Sequence, residues 1–268
     1  MRIKNMLVFS AITPHPPILI PSIGQESLEQ IKKTQQAMQE LAENFYVVAP
    51  ETVIVISPHG RLMENSFTLN GAPDFSGDFG QFGDLETQLE FKGDVVLAYK
   101  IREYLETKFS IQMIADSELD HGVSVPLYYL TQKLKKVKIV PVGYCLQESQ
   151  RHFELGQAIA EVIHDVKKRV AVIASGDLSH CLTKNAPVPY NEQGREFDKK
   201  LIDLIKNKKI KEVVNLDRNL INQAAECGWR SILILLGILS EHNFIPEVLS
   251  YEGPFGVGYL VCNFELNR

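Results

Sequence analysis

The chain is poor in several things that would each have pointed somewhere. Its four cysteines, Cys145, Cys181, Cys227 and Cys262, lie far apart with no C-x-x-C pair in 268 residues. That pattern is neither a disulfide framework nor a cysteine-rich zinc site, and it fits a reducing, cytoplasmic setting. There is no excess of positive charge: 28 basic residues face 33 acidic ones, for a net charge of −5. No overall field draws polyanions, so nucleic-acid binding is not expected. No apolar run approaches the ~20 residues of a membrane-spanning helix; the longest, Ile232 to Leu239, has the length of a buried helix segment. Met6 to Ile12 is apolar but is broken by Thr13-Pro14-His15-Pro16-Pro17, with no small-residue cleavage site, and does not read as an export signal. There is no G-x-S-x-G elbow and no G-x-x-x-x-G-K-[ST] loop. Gly253, Gly256 and Gly258 follow no dinucleotide fingerprint and are read as turn and packing glycines. Serine-hydrolase, kinase-like and nicotinamide chemistry are therefore disfavoured.

What is present is an ordinary globular composition, 45% hydrophobic and 23% charged, with a mean hydropathy of −0.07. Apolar strand-length runs alternate with segments of helical spacing. Strands are predicted at Met6–Ile12, Thr52–Ile56, Asn65–Asn70, Ile111–Ala115, Lys138–Tyr144, Val170–Ala174 and Gly256–Phe264. Helices are predicted over Gln25–Val48, Asp94–Lys108, Val125–Leu134 (starting near Pro126), Gln150–Lys168, Glu192–Asn207, Lys211–Asn215 and Trp229–His242. Gly71–Gly83, rich in Gly, Asp and Phe, reads as a loop with lid potential. Thr52–Ile56 is β-branched and wholly apolar, as a strand covered on both faces is. The alternation predicts an α/β fold, a mostly parallel central sheet with helices on both faces. No repeat, low-complexity tract or linker-like shift divides it, so residues 1–268 read as a single domain.

Histidine placement carries the functional signal. Of seven histidines, His15 (TPHPP), His59 (SPHG) and His180 (SGDLSH) each lie just beyond an apolar strand-like run. Ligands of open α/β sheets bind outside the carboxyl ends of the strands, so the three can converge on one pocket at that rim. His121 (LDHGVSVP) falls in a loop before a helix, while His152, His164 and His242 fall among charges on predicted helices and read as solvated surface. Two neutral imidazoles and one carboxylate form the usual protein site for non-haem Fe(II), and Zn²⁺ accepts the same donors. His15 and His59 are the plausible imidazole pair. The carboxylate has four candidates, Glu226, Asp177, Glu252 and Asp120. Cys227, beside Glu226, is a possible soft ligand, although a free cysteine is more often a small core residue.

The segments TPHPPILIP, SPHG, LDHGVSVPL, SGDLSH and ECGWRS, in that order, resemble the class III extradiol ring-cleaving dioxygenases, the LigB-type superfamily, to which Memo-like proteins are related. The resemblance implies that His15, His59 and Glu226 hold Fe(II), with Zn possible in the purified protein. It implies that His180 is an acid/base outside the coordination sphere and that His121 contacts substrate. The implied partners are a small catechol-like or aminophenol-like aromatic and O₂, in a homo-oligomer such as a dimer, with a small second subunit in some members. Neither nucleic acid nor membrane is expected. One departure stands out: Memo-like relatives place a cysteine near the third ligand, and here Cys227 directly follows Glu226. The alternatives to ring cleavage are a Memo-like metal-binding accessory protein and a zinc hydrolase in which His180 activates a metal-bound water.

Overall fold

The computed structural model describes residues 6–134 and 136–266. Ten strands form one sheet: β1 (Leu7–Thr13), β2 (Thr52–Ser57), β3 (Phe67–Asn70), β4 (Asp74–Phe79), β5 (Asp84–Gly93), β6 (Ile111–Ile114), β7 (Lys138–Gly143), β8 (Val170–Ser175), β9 (Phe244–Glu252) and β10 (Tyr259–Leu266). The spatial order is β4-β5-β7-β2-β8-β1-β10-β9, with β3 pairing β6 and β7. The middle of this order, β5-β7-β2-β8-β1, is parallel throughout, and the antiparallel pairs β4-β5 and β1-β10-β9 lie at its margins.

The helices are α1 (Pro21–Gly24), α2 (Lys32–Val48), α3 (Val95–Leu105), α4 (His121–Leu130), α5 (Ser149–Asp165), α6 (Glu192–Lys206), α7 (Ile210–Val214), α8 (Arg218–Ala224) and α9 (Trp229–Leu239). Successive side chains of a strand point to opposite faces, and both faces here are apolar. Ile54, Ile56, Val140, Val142, Val172 and Ala174 join the core under α3, α5 and α9. Their sequence neighbours Val53, Val55, Ile139, Ala171 and Ile173 join a second core under α2 and α4. The result is the expected α/β sandwich, in one domain. No helix among the described residues is long and apolar enough to cross a membrane.

Several elements differ from the sequence expectation, each for a local reason. Gly71–Gly83 is not a loop: Asp74–Phe79 is strand β4, with Phe75, Gly77 and Phe79 buried and Asp74, Ser76 and Asp78 exposed. This two-residue alternation is a half-buried strand signal masked by the loop-like composition. Its partner β5, the edge strand β9 and helix α8 were not expected either. The Gln25–Val48 segment begins as a 3-10 turn over Gln25–Ile31 before α2 starts at Lys32. Helix α4 starts at His121 rather than near Pro126, because the Asp120 carboxylate accepts a bond from the Val123 amide and caps the helix there. His121 is thus the first residue of a helix. His152 is fully buried, not a surface residue, since it lies on the face of α5 turned toward the sheet.

Candidate metal centre

The strands β2, β8 and β1 are adjacent and parallel, so their carboxyl ends share one rim. Each is followed at once by a histidine-bearing turn. His15 follows β1, His59 follows β2, and the Gly176–His180 segment follows β8. His15 and His59 meet there, with their Nε2 atoms 2.9 Å apart. His121 arrives from the head of α4 and stacks on His59, with centroids 4.2 Å apart at an interplanar angle of 26°. The two histidines are held together by one network. Ser57 donates from Oγ to the Asp120 carboxylate at 2.6 Å, and the same Oγ accepts from the His59 amide at 3.2 Å.

His180 is partly buried, its Nδ1 has no hydrogen-bond partner, and it lies close enough to disfavour protonation of His15 and His59. Burial, then the neighbouring imidazoles, hold His15 well below its ordinary pKa. Burial and then His121 bring His59 down to about 4. Burial alone lowers His121, and it is the main cause at His180. All four rings are therefore neutral at pH 7, as ligation and proton uptake both require.

The third donor is the point on which sequence and structure differ. Among the described residues, the group whose ligand atoms all lie within 4.8 Å of one another is His15, His59 and Cys227. Cys227 Sγ is 3.7 Å from His15 Nε2. Glu226 is not in the group: its carboxylate instead accepts a bond from the Trp229 amide at the head of α9, at 2.5 Å. That amide is one of the donors a helix start leaves without an internal partner. Burial pushes Glu226 up to about 7.

The other carboxylate candidates are also accounted for. Glu252 accepts from the amide and hydroxyl of Thr34, both at 2.7 Å, and so is engaged at the head of α2. Asp120 caps α4. Asp177 is close: it accepts from the His15 amide at 3.0 Å and approaches His15 Nε2 to 4.0 Å. Burial pushes its pKa up to about 7. Cys227 reaches the rim because the loop after β8 and the loop before α9 touch at two glycines. A Cβ on Gly176 would lie 2.1 Å from the Cα of Gly228. No other residue type permits that approach, and it lets the Gly228 amide bond the Asp177 carbonyl at 2.9 Å.

Two contributors were not identified from sequence. Phe82, at the β4–β5 connection, places its ring 5.3 Å from that of His121. Ser175, at the end of β8, lies 2.9 Å from His15 Nδ1. A cavity of about 600 Å³ opens beside the cluster and shares His59 with it, lined also by Arg61, Asn70, Asp116 and Asp120. His164 is exposed and His242 half-buried, both away from the rim.

Residues 10–262 match the family described as the catalytic LigB subunit of aromatic ring-opening dioxygenase. The chain belongs to the LigB family. It is 33% identical over 264 residues to Protein CA_C1420 of Clostridium acetobutylicum, covering 95% of this chain and 56% of that protein. It is 27% identical over 196 residues to a 2,3-dihydroxyphenylpropionate/2,3-dihydroxicinnamic acid 1,2-dioxygenase of Mycolicibacterium gilvum, covering 69% and 59%. A MEMO1 family protein of Methanosarcina mazei is 30% identical over 118 residues, 44% of this chain and 41% of that one. The matches thus span between 41% and 59% of the length of these relatives. The fold also matches the crystal structure of JW3007 from Escherichia coli K12, with a TM-score of 0.68 at 13% identity, covering 96% and 99% of the two chains.

Proposed function

We propose that the chain is a non-haem Fe(II)-dependent extradiol dioxygenase that opens a catechol-like or aminophenol-like ring with O₂. The observation that carries this reading is the convergence of His15, His59 and His121 on one rim, with His180 near enough to act on the first two, while among the described residues the group that could share an ion is His15, His59 and Cys227. A site that merely held metal has no need of His121 and His180. The donor set fits a divalent transition metal: two Nε2 atoms 2.9 Å apart and a thiol 3.7 Å from one of them, in LigB family surroundings. His15, His59 and Cys227 would hold the metal, in place of the Glu226 ligand expected from sequence, with Asp177 the nearest carboxylate. When bound, the metal supplies a Lewis acid that acidifies a phenol and a place where O₂ meets the ring.

The remaining work falls to the chain itself. His180, whose pKa is lowered chiefly by burial, accepts a proton from a substrate hydroxyl and later returns it. His121, flanked by His59 and Phe82, forms an aromatic wall that orients a flat ring. The cavity beyond His59 gives room for a polar ring substituent. The partners of this reading are a small aromatic and O₂, in a homo-oligomer such as a dimer; a small second subunit and a cytoplasmic site of action belong to the same proposal.

The test is anaerobic loading with Fe(II), then O₂ uptake and visible absorbance with catechol, protocatechuate, 2-aminophenol and substituted catechols. A yellow ring-opened product is expected, and His180→Ala should keep the metal while losing turnover by about 100-fold or more. Cys227 favours a second reading, a Memo-like metal-binding accessory protein. Stoichiometric metal without oxygen uptake on any substrate would establish that one instead, whereas hydrolytic activity with Zn²⁺ would support a zinc hydrolase.

A further inference from the structure

Helix α4 contains a proline at its sixth residue, Pro126. A proline there has no N–H to bond the carbonyl four residues back, which is that of Gly122. The freed carbonyl is taken from another element: Ser175 Oγ, at the end of β8, lies 2.5 Å from the Gly122 oxygen. The carbonyl has no hydrogen to give, so the serine hydroxyl donates its only one there. The same Oγ is 2.9 Å from His15 Nδ1, and with its hydrogen committed it can only accept. His15 therefore carries its hydrogen on Nδ1 and a bare lone pair on Nε2. Both side chains are buried, His15 at 2% and Ser175 at 0% exposure, so water does not compete for these bonds. One hydrogen lies between His15 Nε2 and His59 Nε2 in the metal-free protein, at 2.9 Å, and it must belong to His59.

We propose that Ser175, using the carbonyl that Pro126 frees, is a positioning residue that locks His15 in the Nδ1–H tautomer and so presents Nε2 as a ready donor to a divalent cation. The cation part rests on the metal-centre reading above; the tautomer part does not. Metal-ligating histidines depend on a partner at the other ring nitrogen, whose loss typically weakens metal binding about 10- to 100-fold. What is particular here is that the partner's direction is set by a proline in a different element.

The experiment is a long-range ¹H–¹⁵N correlation spectrum of the uniformly labelled, chelator-stripped chain near neutral pH, with His15→Gln used to assign the His15 ring. The expected result is His15 with hydrogen on Nδ1 and His59 with hydrogen on Nε2. A His15 hydrogen on Nε2 in the unmodified chain would overturn the proposal without any variant having to fold. In Ser175→Ala the His15 ring should shift toward the Nε2–H form, and the dissociation constant for Zn²⁺ or Co²⁺ should rise about 10- to 100-fold. An unchanged ring and unchanged affinity would refute the lock. Pro126→Ala restores a backbone N–H at residue 126 that competes for the Gly122 carbonyl, and should move both readouts the same way by less; no movement would remove the proline from the device. If the unmodified chain has the expected tautomers but binds no divalent cation, the lock stands and the metal-centre reading falls.

Discussion

His15 and His152 are both buried histidines with a lowered pKa, and their rings are held in opposite ways. His152 lies inside the core under α5, its ring nitrogens 2.9 Å from the Glu148 carbonyl and 3.0 Å from the Cys145 carbonyl, packed against Phe67. Both ring nitrogens face backbone. His15, at the rim, has Nδ1 tied to Ser175, while Nε2 faces only another histidine, a thiol and a carboxylate. Burial and pKa alone do not separate a structural histidine from a functional one. What separates them is whether the second ring nitrogen ends on backbone or on other groups that can bind the same ion.

The sharpest way to break this comparison is to truncate each ring. His15→Ala should cost on the order of a thousandfold in metal affinity, because a donor is removed outright. His152→Ala should leave metal affinity unchanged and cost about 3–4 kcal/mol of stability, from a cavity and the one hydrogen bond a neutral ring can donate there. Isothermal titration with Zn²⁺ and urea denaturation read the two axes. If His152→Ala lost metal binding, or His15→Ala kept it, the division would fail.

The same pair differs in its response to acid. His152 titrates at about 4 in the fold against about 6.5 in an unfolded chain. Its lowered value means that its contribution is complete above pH 6.5 and is lost as pH falls through 4. The stability gap between the unmodified chain and His152→Ala should therefore shrink by on the order of 3 kcal/mol across that window. Taking the difference cancels Asp177 and Glu226, whose raised pKa values act in the opposite direction.

Most of this architecture was legible in the sequence because the parallel strands are buried on both faces and so read as unbroken apolar runs, Thr52–Ser57 most clearly. The rim histidines were legible for the same reason, since each follows such a run immediately. What sequence could not supply was the direction of side chains in the turns. Glu226 and Cys227 are adjacent, and only the contact between Gly176 and Gly228 decides which of them faces His15. Phe82 was hidden because its hairpin alternates phenylalanine with glycine and aspartate, a composition that resembles a loop. His152 was misplaced because charged neighbours on α5 concealed its buried face.

A smaller expected effect comes from Cys227, whose thiol burial holds well above the usual range. Binding a metal through sulfur releases its proton, so affinity should rise about tenfold per pH unit while the thiol stays protonated. His59, which titrates at about 4, adds no slope above about pH 5, and His15, held well below its ordinary value by burial, adds none around neutrality. Cys227→Ser should weaken Zn²⁺ binding about 100-fold and flatten that slope. Retention of the slope in Cys227→Ser would assign the released proton to another group, with Asp177 the nearest candidate.

Glu226 gives the smallest effect and the finest discrimination, because it lies beside the site in sequence but caps a helix in space. Its carboxylate on the Trp229 amide stabilises the head of α9, a contribution of about 1 kcal/mol for a group at that position. Glu226→Ala should therefore lower stability by about that amount while changing metal affinity by less than about threefold, there being no ligand to lose. Glu226→Gln, which keeps an oxygen able to accept from the amide, should recover most of the stability. A tenfold or larger loss of metal affinity in both variants, with stability unmoved, would return Glu226 to the coordination sphere and make Cys227 its neighbour rather than its replacement.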